Sequence, residues 1–253
     1  MTTAFLTQGL AVGSLAVLLC FGPRPALAYE IGRTTGYGAP IKVEKMPIRF
    51  NIRRPSILGA TAEQAQGAIR AAYRHWTSVP CADLATEDLG FTEHEYEPED
   101  GINTHAFGEL PPGADGFGIA ITLSLVNPVS GELLHSDTIY SDKVFWTTTG
   151  EPAALGIEYI ATHEIGHSLG LDHNHDPSSI MFPSINTGTQ TSFTRLSDDD
   201  KANLCHLYGE DGLSCGGCSA SGAVARGGAG AGTMAWPLAA LLFLVSRRRS
   251  QST

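Results

Sequence analysis

One stretch constrains this chain more than any other: His163, Glu164, His167, Gly170 and His173 stand at the spacing H-E-x-x-H-x-x-G-x-x-H. On a helix, residues four apart share a face, so His163 and His167 point the same way, one turn apart. Glu164 stands beside the first histidine, within reach of a water held between the two. Gly170 can take the left-handed conformation that ends a helix and turns the chain back. That turn brings His173 round as a third nitrogen donor. Three imidazoles leave one position of a tetrahedral zinc open, the arrangement of a catalytic site rather than a closed structural one.

H-E-x-x-H alone also arises by chance on the polar face of an amphipathic helix. Here five fixed positions coincide, and the residues before them suit a helix. Pro152 fits a first turn, and Leu155, Tyr159 and Ile160 supply apolar positions. Downstream, Ser179-Ile180-Met181-Phe182-Pro183 places a methionine eight residues past His173. The long zinc motif followed by a methionine turn resembles the metzincin metalloproteases, and the wording of that turn is most similar to the matrixin branch.

The resemblance covers residues 41–209 and is strongest from 160 to 183. It implies an α+β zincin fold: a twisted mixed sheet, a long N-terminal helix, an active-site zinc helix, a Met-turn and a C-terminal helix. It implies one catalytic zinc per chain, held by His163, His167 and His173, with Met181 as a structural floor beneath the imidazoles. Glu164 is then the general base that acts on a zinc-activated water, and proteins or peptides are the substrates. An edge strand near the cleft would pair with extended substrate, though spacing does not show which strand. Residues 184–194 would wall the pocket for the residue after the scissile bond.

Two departures stand out. Astacin-type sites carry a tyrosine near this methionine, and Phe182 has no hydroxyl to donate. Residues 29–42 hold no cysteine, so the propeptide-cysteine latency of animal matrixins is missing, and control by export is the simpler reading. The leading function is an exported zinc metalloendopeptidase. Its rival is a catalytically inactive metzincin-fold surface protein that only binds, against which the intact Glu164 speaks. A different metal-hydrolase or metal-carrier role would not need the methionine turn.

The two ends differ in kind from the middle. Residues 6–21 are almost purely apolar, and Ala26-Leu27-Ala28 offers a small-x-small cleavage site, so 1–28 is expected to be a secretory signal peptide. Residues 211–233, rich in Gly, Ala, Ser and Cys, cannot build a core and fit a linker. Residues 234–253 join an apolar run to Arg247-Arg248-Arg249; with its uncharged approach the segment approaches the roughly 20 residues that cross a bilayer. Cys215-Gly216-Gly217-Cys218, the spacer, the apolar run and the arginines resemble the C-terminal sorting tags of myxobacterial surface proteins. That implies a processing protease acting near Cys218, membrane association before processing, and a cell-surface, outer-membrane or extracellular destination. A plain C-terminal membrane anchor is the alternative.

Between these ends, residues 29–210 form the expected catalytic domain. It carries 11 Lys+Arg against 25 Asp+Glu, a net of −14, and such a surface disfavours nucleic acid. Cys81 and Cys205 are its cysteines; they either bridge or stay separate thiols, and spacing alone does not decide. Residues 42–52 alternate as a strand, and Thr61-Ala62-Glu63-Gln64 opens a helix that buries Ala65, Ile69, Ala72, Tyr73 and Trp76. Residues 118–126 form a strand, 127–131 a turn, and 133–146 a further extended segment. The acidic run 93–100 could hold calcium, but it lacks the spacing of an ordered calcium loop and fits a solvated loop. His94, His105, His135 and His175 are expected at the surface. Asp172 should orient the turn before His173. Ser197 caps a last helix, in which Asp198, Asp199 and Asp200 serve capping and solvation while Leu204, Leu207 and Tyr208 face the core.

Overall fold

The computed structural model describes residues 31–55, 57–93, 100–112, 118–149, 154–184 and 195–209. They belong to one unit of the chain, Met1–Gly216. The expected signal peptide and linker, the C-terminal apolar run, His94, Pro152 and residues 185–194 lie outside the described residues, as does most of the acidic run.

Strand β1 (Ile48–Arg53) turns Ile48, Phe50 and Ile52 inward. It begins later than the alternation from residue 42 predicts. The chain bends over residues 45–47, where Pro47 has no N–H for a ladder, and Lys42 makes only an isolated bridge to Glu132. Helix α1 (Ala62–Thr77) opens with the expected capping box: Gln64 N–H donates to Thr61 Oγ1 and Thr61 N–H to Gln64 Oε1. Ala65, Ile69, Ala72, Tyr73 and Trp76 are all buried against the sheet. Tyr73 stacks on Phe50 with ring centroids 4.1 Å apart.

Two strands follow that the sequence does not announce, β2 (Thr86–Thr92) and β3 (Asn103–Gly108). Next come β4 (Ala120–Val126) and β5 (Leu133–Ser141), joined by the expected turn, in which Asn127 Oδ1 accepts from the Val129 and Ser130 N–H groups. The sheet runs β2-β1-β3-β5-β4, parallel throughout except for antiparallel β4 at the edge. The extended segment predicted over 133–146 is therefore split. β5 stops at Ser141, and Trp146 belongs to β6 (Trp146–Thr147), which pairs with β7 (Leu155–Gly156).

Helix α2 (Ile157–Ser168) begins beyond Leu155, because the chain commits Leu155 and Gly156 to that small pairing. Helix α3 (Asp198–Tyr208) starts at its Ser197 cap, as expected. α1 and α2 meet on the core face of the sheet, where the indole of the fully buried Trp76 donates to Thr162 O at 2.8 Å. Cys81, just past α1, is bridged to Cys205 of α3 with Cα atoms 5.4 Å apart, which decides between the two cysteine states. The architecture is the expected α+β arrangement around a mixed sheet. No helix of the described residues is long and apolar enough to cross a membrane.

Candidate metal centre

The second half of α2 carries His163 and His167 one turn apart, their Nε2 atoms 3.2 Å from each other. The helix ends at Leu169, and Gly170 follows at φ +87°. Any side chain there would also strike the backbone of Ile41, so the turn demands glycine on two counts. Leu171 N–H bonds back to Gly166 O, and the chain reverses to bring His173 Nε2 within 3.3 Å of His167 Nε2. Asp172 does orient the turn: its carboxylate accepts from the His173 N–H at 2.7 Å.

The other ring nitrogens define the tautomers. His163 Nδ1 donates to Ile180 O at 2.7 Å and His167 Nδ1 to Leu171 O at 2.9 Å. A carbonyl can only accept, so each of these protons sits on Nδ1, and in the neutral ring Nε2 is then the nitrogen that offers a lone pair. Burial, with His163 and His173 beside it, pushes His167 down to about 3, so it stays neutral and able to ligate. Neutral lone pairs converging on one point fit a divalent cation of the zinc type. Among the described residues, no other cluster of three His, Cys, Asp or Glu is placed to hold a metal ion.

Met181, the methionine of the turn that follows His173, is 1% exposed. It packs against Gly166, where a Cβ would collide with Met181 Sδ and crowd the Trp76 ring. The turn that carries it is anchored from α3. Asp200 accepts from the Ser179 hydroxyl and, at 3.0 Å, from the Ile180 N–H. Ser179 Oγ accepts from the Met181 N–H, and Asn174 N–H closes the loop onto Met181 O. This corrects the reading of the three aspartates as capping and solvation. Asp198 pairs with Lys201 in solvent, but Asp200 is fully buried and combines its capping role with holding the Met-turn. Sequence reasoning also missed Gly166, whose role is visible only once Met181 lies under it.

Glu164 is 7% exposed, and burial raises its pKa while His163 and Thr122 pull it back down. Its Oε2 accepts from Thr122 Oγ1 on β4 at 2.7 Å. No spacing rule links residues 122 and 164; only the fold brings them together. His175 is exposed as expected, whereas His105 and His135 are not surface residues. His105 is 1% exposed, and His135 is buried near Asp137, with Nε2 3.7 Å from the carboxylate Oδ2. His105 faces the main core between the Tyr73 and Tyr140 hydroxyls, while His135 lies on the other face of the sheet, on the side of Asp137 and Ile139.

A mixed five-stranded sheet, three convergent histidines on and just past a helix, and a buried methionine in the turn beyond them fit a metzincin. The chain belongs to the matrixin family, whose model matches residues 42–209. Over 80 residues it is 38% identical to matrilysin of Homo sapiens, covering 32% of this chain and 29% of that protein. It is 39% identical over 80 residues to matrilysin of Rattus norvegicus, with 32% and 29% covered. Over 197 residues it is 30% identical to stromelysin-2 of Rattus norvegicus, covering 74% of this chain and 37% of that protein. The chain thus spans about a third of the length of the curated relatives it matches.

Proposed function

We propose that this protein is an exported zinc endopeptidase that hydrolyses peptide bonds in proteins or peptides. One observation carries the reading: the Nε2 atoms of His163, His167 and His173 converge, and two of the rings are fixed by Nδ1–H bonds to backbone carbonyls. These three residues would hold the ion through Nε2. A bound zinc supplies Lewis acidity, which brings the pKa of a water to roughly 7. Glu164 takes the proton of the attacking water and passes it to the leaving amine. A carboxylate whose pKa is lifted by burial suits both halves of that transfer. Met181 keeps an apolar floor under the rings and takes no part in bond making. Among the described residues β4 is the sheet edge beside Glu164, and its outer side would add the substrate backbone as a further strand.

The ends of the chain extend the proposal. Residues 1–28 would direct export, 29–210 form the catalytic domain, and 211–253 act as the sorting tag that a processing protease removes at the cell surface. Composition supports these assignments. The test is zinc per chain and cleavage of a denatured protein by the full chain beside Glu164→Gln. One zinc in both, with cleavage at least about a thousandfold slower in the variant, is expected. Equal zinc with no cleavage by either would favour the binding-protein alternative.

A further inference from the structure

We propose that Thr122 is a positioning residue for the general base, its hydroxyl holding Glu164 Oε2 so that Oε1 is the oxygen left to take the proton. The proposal rests on the reading of Glu164 as the base. Thr122 Oγ1 lies 2.7 Å from Glu164 Oε2, 3.2 Å from Glu164 O and 3.2 Å from Thr138 Oγ1. An ionised carboxylate has no proton, so in the short contact Thr122 donates. A hydroxyl has one proton to give, which makes Thr138 the donor in the Thr138–Thr122 contact. The direction of the chain is thereby fixed: Thr138 to Thr122 to Glu164.

That order matters because the Thr122 rotor has a second acceptor within reach. The Glu164 main-chain oxygen would accept the same proton, and a donation from Thr138 favours the rotor that leaves the Thr122 proton on the carboxylate. Thr122 and Thr138 face each other in register across β4 and β5, and Thr138 is fully buried, so the arrangement is built on sheet rather than loop. Two residues along, Ser124 meets Ser136 across the same pair of strands, their hydroxyls 2.8 Å apart. The carboxylate is what sets the Thr122 pair apart. Glu164 Oε1 has no hydrogen-bond partner among the described residues. A glutamate side chain has three torsions to settle, and a base displaced by about an ångström loses rate steeply.

The test uses the full chain and a fluorogenic peptide that the parent cleaves. Thr122→Val keeps the shape and removes the donor. It should lower kcat by about tenfold or more, with KM within about twofold and zinc per chain unchanged. Thr122→Ser restores the hydroxyl and should recover kcat to within about threefold. In the Glu164→Gln background the valine substitution should change the residual rate by less than about twofold, because the group it positions is gone. Parental kcat in Thr122→Val, a serine variant as slow as the valine one, or an undiminished loss in the Glu164→Gln background would each overturn the proposal. Should Thr122→Val not fold, Thr138→Val decides: it frees the Thr122 rotor and should lower kcat by about twofold to fivefold, and no change would count against the proposal. Glu164→Gln cleaving at the parental rate is a different failure, since it removes the base itself.

Discussion

His105 holds its ring between two tyrosines, with the Tyr73 hydroxyl 3.0 Å from Nε2 and the Tyr140 hydroxyl 3.0 Å from Nδ1. Burial pushes its pKa from 6.5 down to about 3, so the fold keeps it neutral. Between those values the unfolded chain binds a proton that the native chain refuses. Stability from this residue is therefore present above pH 6.5 and is lost as pH falls towards 3, with a slope of up to about 1.4 kcal/mol per pH unit. Urea unfolding of the parent and His105→Gln at several pH values should show a shallower acid loss in the variant. Equal slopes would contradict it. His105 was illegible in sequence because a lone histidine in a polar stretch gives no sign of facing inward. The triad was legible for the opposite reason: ligating one ion forces a spacing, and spacing is what a sequence displays. Thr122 depends on a contact between strand and helix, which leaves no periodic trace.

At the scale of elements, α3 reaches across to the site through Asp200. One carboxylate serves the Ser179 hydroxyl, the Ile180 N–H and the Ser197 cap together. Asp200→Asn turns one of the two acceptor oxygens into a donor facing donors. It should cost about 1–3 kcal/mol by urea unfolding and speed zinc loss to a chelator, since the Met-turn carries the carbonyl that orients His163. An unchanged midpoint and unchanged release would show that α3 does not hold the turn. The ends of α1 and α3 were readable because caps use particular residues at particular offsets. β2 and β3 were not. β2 carries Glu87, Asp88 and Gly90, and β3 opens with Asn103, Thr104 and His105, so neither shows an apolar alternation. Their pairing with β1, not their own composition, makes them strands. The late start of α2 likewise comes from a partner, β6, that sequence alone does not position.

Over the whole domain, the Cys81–Cys205 bridge joins residues 124 apart and ties the end of α1 to α3, the helix that steadies the Met-turn. Closing so long a loop restricts the unfolded chain, and reduction should lower unfolding stability by roughly 2–5 kcal/mol. A reductant that leaves the thermal midpoint in place would contradict that. The order β2-β1-β3-β5-β4 is the least legible feature, because parallel neighbours far apart in sequence are chosen by crossovers rather than by local pattern. The α+β class and the family, by contrast, were already carried by the zinc motif and the methionine turn. Whether three imidazoles of this chain hold one zinc is tested most directly by X-ray absorption at the zinc edge of the metal-loaded full chain. The expected result is three nitrogen scatterers at roughly 2.0–2.1 Å with one further light ligand, reduced by one nitrogen or abolished in His173→Ala. Sulfur at roughly 2.3 Å, or a parental spectrum in His173→Ala, would contradict it.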